Sequence, residues 1–199
     1  MEHREKQENI HELMRRRWSP RAFSAELLTP AEIESLFQAA RWAPSASNGQ
    51  PWRFVYATKD QEPDFQKLAG LLVEANAVWA KEAPFMVVVF SRSVHEKSGE
   101  AHAGHLYDTG LAMSQFSLQA TALGLQVHQM AGFAAEKANA TLGVPPEYTP
   151  IAMAVVGHAT DPSHLPEKLQ EREKTKSGRK PLAELVHRGS WQGENQNEA

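Results

Sequence analysis

The stretch Ala83-Pro84-Phe85-Met86-Val87-Val88-Val89-Phe90 decides how the fold is read. β-branched and aromatic residues follow one another here with no polar alternation. A strand of that composition is buried on both faces, so it belongs inside a sheet covered by helices on each side. Downstream, His105 to Leu123 reads as a long helix stopped by Gly124. Its apolar residues, among them Leu106, Leu111, Met113, Phe116 and Leu118, surround the axis instead of forming one stripe. A helix apolar all round is buried on all sides, which in so short a chain points to cover from a second subunit. Leu125–Met130 and Ile151–Val156 read as further strands, with a short helix over Ala134–Leu142 between them and Gly157 closing the last strand.

Upstream, Arg53–Thr58 alternates as a strand does, and Phe65, Leu68, Ala69 and Leu72 mark a helix. Thr29-Pro30-Ala31-Glu32 combines a capping Thr, a Pro at the first helical position and a Glu three residues after the cap. The helix it opens carries Ile33, Leu36, Phe37 and Ala40 and stops before Pro44. Ile10, Leu13, Met14 and Trp18 predict a first helix from Glu5 to Arg17, ended by Pro20. Residues 160 to 180 are polar and highly charged and read as an extended arm. Leu182–Val186 is a last apolar element, and 189–199 reads as a frayed tail. Strands and helices mix without strict βαβ alternation, so the expectation is an α+β fold: a central mixed sheet flanked by helices, with an extended C-terminal arm. Residues 1–188 would form a single domain.

The chain has 199 residues, of which 41% are hydrophobic and 23% charged, with a net charge of -3 and no cysteine. Those proportions suit a globular domain with a core. The charge argues against nucleic acid or a membrane surface as partner. The lack of cysteine removes disulfides, iron–sulfur ligation and thiol nucleophiles. The N-terminal stretch is too charged for a signal peptide, and the longest apolar run is too short to span a bilayer. A cytoplasmic protein is expected.

Two stretches could carry chemistry. In Arg15-Arg16-Arg17-Trp18-Ser19-Pro20-Arg21-Ala22-Phe23, several guanidinium groups lie beside a Ser where a helix ends. Forked Arg donors, a hydroxyl and turn amides suit a phosphate monoester, although a basic helix end also complements the macrodipole. In Ala43-Pro44-Ser45-Ala46-Ser47-Asn48-Gly49-Gln50-Pro51-Trp52, two prolines frame small hydroxyl and amide residues that could approach a planar heterocycle. The same residues also dominate ordinary turns. His102, His105 and Asp108 sit at i, i+3 and i+6. The third drifts off the helix face and no HExxH pattern accompanies them, so surface or interface histidines are the better account and no metal is expected.

Order and spacing go further. From about Arg15 to Val186 the chain resembles the FMN-dependent nitroreductase family. Arg17, Ser19, Arg21 and Phe23 match its opening motif, and Ala43–Trp52 its Ala-Pro-Ser-x-x-Asn-x-Gln-Pro-Trp. Asn76-Ala77-Val78-Trp79 before Ala83-Pro84, Asp108-x-Gly110, Leu123-Gly124-Leu125, Met130-Ala131-Gly132-Phe133, Val155-Val156-Gly157-His158 and Arg179-Lys180-Pro181-Leu182 follow in order. The resemblance implies that Arg17, Ser19 and Arg21, beside Trp18, hold the phosphate and pyrimidine side of FMN, and that Arg179 reaches the same phosphate. Pro44, Ser45, Ser47 and Asn48 would contact flavin bound mainly by the partner subunit of a homodimer. Asn76 would meet the pyrimidine edge, and Met130, Ala131 and Gly132 the ring near N5. Gln50 and Trp52 would stabilise the loop.

Two departures stand out. Trp18 replaces a basic residue common in the family, and Ser177 falls near where some members place a Lys. The phosphate charge then rests on Arg17, Arg21 and Arg179. The implied activity is an NAD(P)H-dependent oxidoreductase working by a ping-pong cycle on a nitroaromatic, quinone or similar acceptor, with the flavin and no acid–base residue doing the chemistry. A flavin-binding sensor without turnover would share every one of these residues. A cofactor-free dimeric interaction protein could use the same basic helix end and apolar helix.

Overall fold

The computed structural model describes residues 9–175 and 177–191. In chain order these form α1 (Glu12–Arg16), α2 (Pro30–Arg41), β1 (Trp52–Thr58), α3 (Glu62–Ala69), α4 (Glu74–Ala80) and β2 (Phe85–Arg92). Then come α5 (His105–Ala122), β3 (Gln126–Met130), α6 (Ala135–Leu142), β4 (Tyr148–Gly157), α7 (Glu167–Lys174) and α8 (Leu182–Leu185). The strands make one sheet in the order β1-β2-β4-β3.

β2 explains the layering. Its alternate residues Met86, Val88 and Phe90 pack into one core with Trp79 of α4, Phe65 and Leu68 of α3, Ala138 of α6 and Leu165. Phe85, Val87 and Val89 face the opposite core, with Leu36 and Ala40 of α2 and Ala112, Met113, Phe116 and Ala120 of α5. The sheet is therefore sandwiched between two helical layers, as the uniformly apolar β2 requires. Burying one Phe such as Phe116, fully enclosed here, contributes about 1.5–3 kcal/mol.

The α+β expectation holds, but every adjacent strand pair is antiparallel where a mixed sheet was expected. β2 and β3 do run in the same direction, joined by the α5 crossover. β4 then enters between them, so no two parallel strands touch. β4 carries a bulge opposite Val89/Phe90, next to Pro150. Proline, which has no N–H for the ladder, is tolerated at such an irregularity.

The capping box at α2 forms as the sequence foretells: Thr29 Oγ1 accepts from the Glu32 amide at 3.2 Å, and the Thr29 amide donates to Glu32 Oε2 at 2.7 Å. Three expectations change. The 160–180 arm is not extended throughout, because α7 folds within it after Pro166. The first helix is only Glu12–Arg16, its expected start lying outside the described residues along with most of the tail. α5 buries one side, while Leu106 and Tyr107 are 52% and 73% exposed. Among the described residues, no helix is long and apolar enough to cross a membrane.

Candidate active site

α1 ends at Arg17, whose amide donates to the Leu13 carbonyl at 3.0 Å and whose ψ of 125° turns the chain extended. Residues 17–23 then cross the edge of the sheet and are fastened there. The Trp18 amide donates to Gln126 Oε1 at 2.9 Å. His128, also on β3, is 2.8 Å from the Pro20 carbonyl through Nδ1. A carbonyl only accepts, so Nδ1 carries the proton and the tautomer is fixed. The His128 ring lies 4.5 Å from that of Trp79, and the Arg21 guanidinium sits 5.8 Å from the same indole.

Arg21 is also held from the C-terminal side. Its amide donates to Glu173 Oε2 at 3.0 Å and its Nη1 to Glu173 Oε1 at 3.2 Å. The Glu173 side chain is 3% exposed. α7 thus folds back onto the opening motif and presents a buried carboxylate to it.

These segments enclose a cavity of about 680 Å³ lined by Arg17, Trp18, Ser19, Arg21 and His128 from one side, and by Glu171 through Glu173, Thr175, Ser177 and Arg179 from the other. Four guanidinium groups face two carboxylates. Glu173 is matched to Arg21 and Glu171 to Lys174 at 2.6 Å, which leaves the cavity with surplus positive charge. Ser19 Oγ lies 3.3 Å from Arg17 Nη1. Burial is the main influence on His128 and lowers its pKa, so the ring stands neutral beside the cations.

Asn76 and Gly132 form a second contact nearby. Asn76 Nδ2 donates to the Gly132 carbonyl at 2.9 Å. A Cβ at position 132 would come 2.7 Å from that nitrogen and 3.1 Å from Val73 Cγ2, so a side chain there would displace the Asn76 amide. Met130 is buried and Ala131 exposed at the end of β3, two and three residues beyond His128.

The loop carrying Pro44, Ser45, Ser47 and Asn48 stands apart, and none of it lines the cavity. It forms a single 3₁₀ turn over Ala46–Asn48; Ser47 and Asn48 within it, and Gln50 just after it, have φ of 50°, 55° and 45°. Left-handed backbone at non-glycine residues is costly and concentrates at functional sites. His95 and His102 stack at 4.3 Å. Among the described residues, no group of three metal-ligating side chains comes together.

The family model for nitroreductases matches residues 14–158. The chain belongs to the nitroreductase family. The chain is similar to a solved oxidoreductase containing FMN, at 38% identity and a TM-score of 0.89, over 94% of this chain and 95% of that one. It is 32% identical over 127 residues to an uncharacterised 15.4 kDa protein of Mycolicibacterium smegmatis, covering 64% of this chain and 84% of the relative. A Bacillus subtilis chain provisionally named an NAD(P)H nitroreductase is 26% identical over 200 residues, 82% of this chain and 95% of that one. The α+β sandwich described above is the nitroreductase fold.

Of the residues singled out in the sequence, the fold brings Arg17, Trp18, Ser19, Arg21 and Arg179 to one cavity and joins Asn76 to Gly132. His128, Arg172 and Glu173 were missed. Pro166 followed by Glu167, with Leu169 and Glu173 at i, i+4 and cations in the last turn, is a helical signal that would have located Glu173.

Proposed function

We propose that this chain is a homodimeric, NAD(P)H-dependent FMN oxidoreductase that reduces a small organic acceptor such as a nitroaromatic or quinone. The observation carrying this reading is the convergence of Arg17, Ser19 and Arg179, from opposite ends of the chain, on one positively charged cavity. A phosphate monoester close to two negative charges needs such a donor set. In this reading Arg17, Ser19 and Arg179, with Trp18 beside them, hold the phosphate. Arg21, its charge balanced by Glu173, turns its remaining donors to the pyrimidine side, and Asn76 meets the pyrimidine edge. Met130, Ala131 and Gly132 line the ring, with Gly132 held against Asn76 through its carbonyl.

Bound FMN supplies hydride and electron transfer. The protein orients it, neutralises its phosphate and keeps an open cleft that donor and acceptor use in turn. Pro44, Ser45, Ser47 and Asn48 lie outside the cavity of their own chain, which supports their contacting flavin held by a partner subunit. Leu106, Tyr107 and Trp42 are exposed large apolar residues suited to that contact. We take residues 1–188 as one flavin-binding domain and the cytoplasm, where nicotinamide donors are regenerated, as its compartment.

The test is direct. Purified protein should be yellow and should consume NADH or NADPH when a quinone or nitroaromatic is added. Flavin uptake without turnover would leave a flavin-binding sensor, and a colourless protein that ignores excess FMN would overturn the reading.

A further inference from the structure

We propose that Asp108 is a positioning residue for the loop Ala43–Trp52, holding the turn with left-handed Ser47, Asn48 and Gln50 in shape through the Ala46 amide. This rests on the reading that the loop contacts flavin. Asp108 lies in the first turn of α5 and is 4% exposed. Its Oδ2 accepts from the Ala46 amide at 3.0 Å, sixty-two positions away in the chain. The same oxygen is 3.5 Å from Nε2 of His102, which is also 4% exposed.

The geometry explains why the loop needs an anchor. Ser47, Asn48 and Gln50 all take positive φ, a backbone region that L-residues occupy at a cost and only where surroundings impose it. The glycine of the loop does not relieve this, because Gly49 has an ordinary φ of -68°. Gly49 is instead where the loop sits against its support: a Cβ there would lie 3.1 Å from the Ala46 carbonyl oxygen and 3.4 Å from His102 Nε2. Within the loop, the Gln50 amide donates to Ser45 Oγ at 3.0 Å. The hydrogen bond from the Ala46 amide to Asp108 ties the turn itself to α5. His102, stacked on His95 at 4.3 Å, backs the carboxylate. Through this anchor the loop's Ser and Asn side chains are presented in one fixed arrangement, which lowers the ordering cost of meeting a planar ligand.

An acidic residue in a first turn also favours its own helix through the dipole, and the two roles separate by experiment. Asp108→Ala should weaken FMN binding about tenfold or more, the loss expected for a charge-assisted contact. Asp108→Asn keeps an acceptor for the Ala46 amide and should bind FMN within about threefold of wild type. Ala46→Pro removes the donor from the exposed side without opening the buried site. Proline is tolerated at the start of such a turn after an extended residue, and Ser45 is extended. It should weaken FMN binding as Asp108→Ala does, and the double variant should be no weaker than either single one, because both remove the same bond. Fluorescence titration of FMN reads all four. Additive losses, wild-type affinity in Asp108→Ala or Ala46→Pro, or an Asp108→Asn as weak as Asp108→Ala would each overturn the inference. Failure of the wild-type protein to bind FMN would instead sink the functional reading, so the two are told apart.

Discussion

At the scale of single residues, the cavity assigns different work to cations that look alike in sequence. Arg21 is matched to the Glu173 carboxylate, whereas Arg17 Nη1 donates to Ser19 Oγ and Arg179 Nη1 to the Ser177 carbonyl. Arg17→Ala should therefore weaken FMN binding by about 1.5–3 kcal/mol and leave riboflavin, which lacks the phosphate, unaffected. Parallel titrations with the two flavins check this. Glu173→Ala should cost about 2 kcal/mol of stability, read from urea unfolding. It strips a buried partner from a guanidinium that is itself 24% exposed and can partly rehydrate. His128 sets a pH dependence. Burial holds its folded pKa below the ordinary imidazole value, so the unfolded chain takes up the proton first. Its contribution is complete above that ordinary value and is lost as the pH falls through it toward the folded one. His128→Asn should flatten the slope of stability against pH between neutral and mildly acidic conditions.

At the scale of elements, α2 is specified almost entirely by its own residues. Thr29→Ala should cost about 1 kcal/mol through the lost cap, measured as a shift in the unfolding midpoint. Glu32 has a lowered pKa, chiefly because its carboxylate accepts from the Thr29 backbone amide. Its share of the box is present above the ordinary carboxylate range and disappears as the pH falls through the lowered value, so the Thr29→Ala difference should shrink in acid. α7 shows the opposite case. Its sequence, Glu-Lys-Leu-Gln-Glu-Arg-Glu-Lys, carries helix end signals but only one apolar residue to bury. Packing of Leu169 beside the core and the Arg21–Glu173 pair make it a helix against the opening motif.

At the scale of the whole molecule, the two core faces of the sheet are filled, while α5 and the C-terminal arm carry exposed large apolar side chains. Tyr107, Leu182, Leu185 and Trp191 are each more than half exposed, and the proposed dimer would cover such side chains. The protein should sediment as a dimer, and Tyr107→Glu should shift it toward monomer and lose flavin together. A Tyr107→Glu monomer that retains FMN would show that one chain holds the cofactor alone.

Local signals were enough for much of this. The unbroken apolar run of β2, the Thr29 capping box, Gly124 after α5 and the ordered motifs from Arg17 to Arg179 are properties of neighbouring residues, and strand, helix and site candidates could be read from them. What they could not carry was anything depending on partners distant in the chain. Whether β2 and β3 touch depends on where β4 inserts, and that is a matter of three-dimensional order. That Glu173 meets Arg21, that His128 has one tautomer beneath Pro20, and that Asp108 holds Ala46 are contacts across sixty to one hundred and fifty positions. Period and propensity describe a residue by its neighbours in sequence, whereas a buried polar group is defined by whichever distant atom satisfies it.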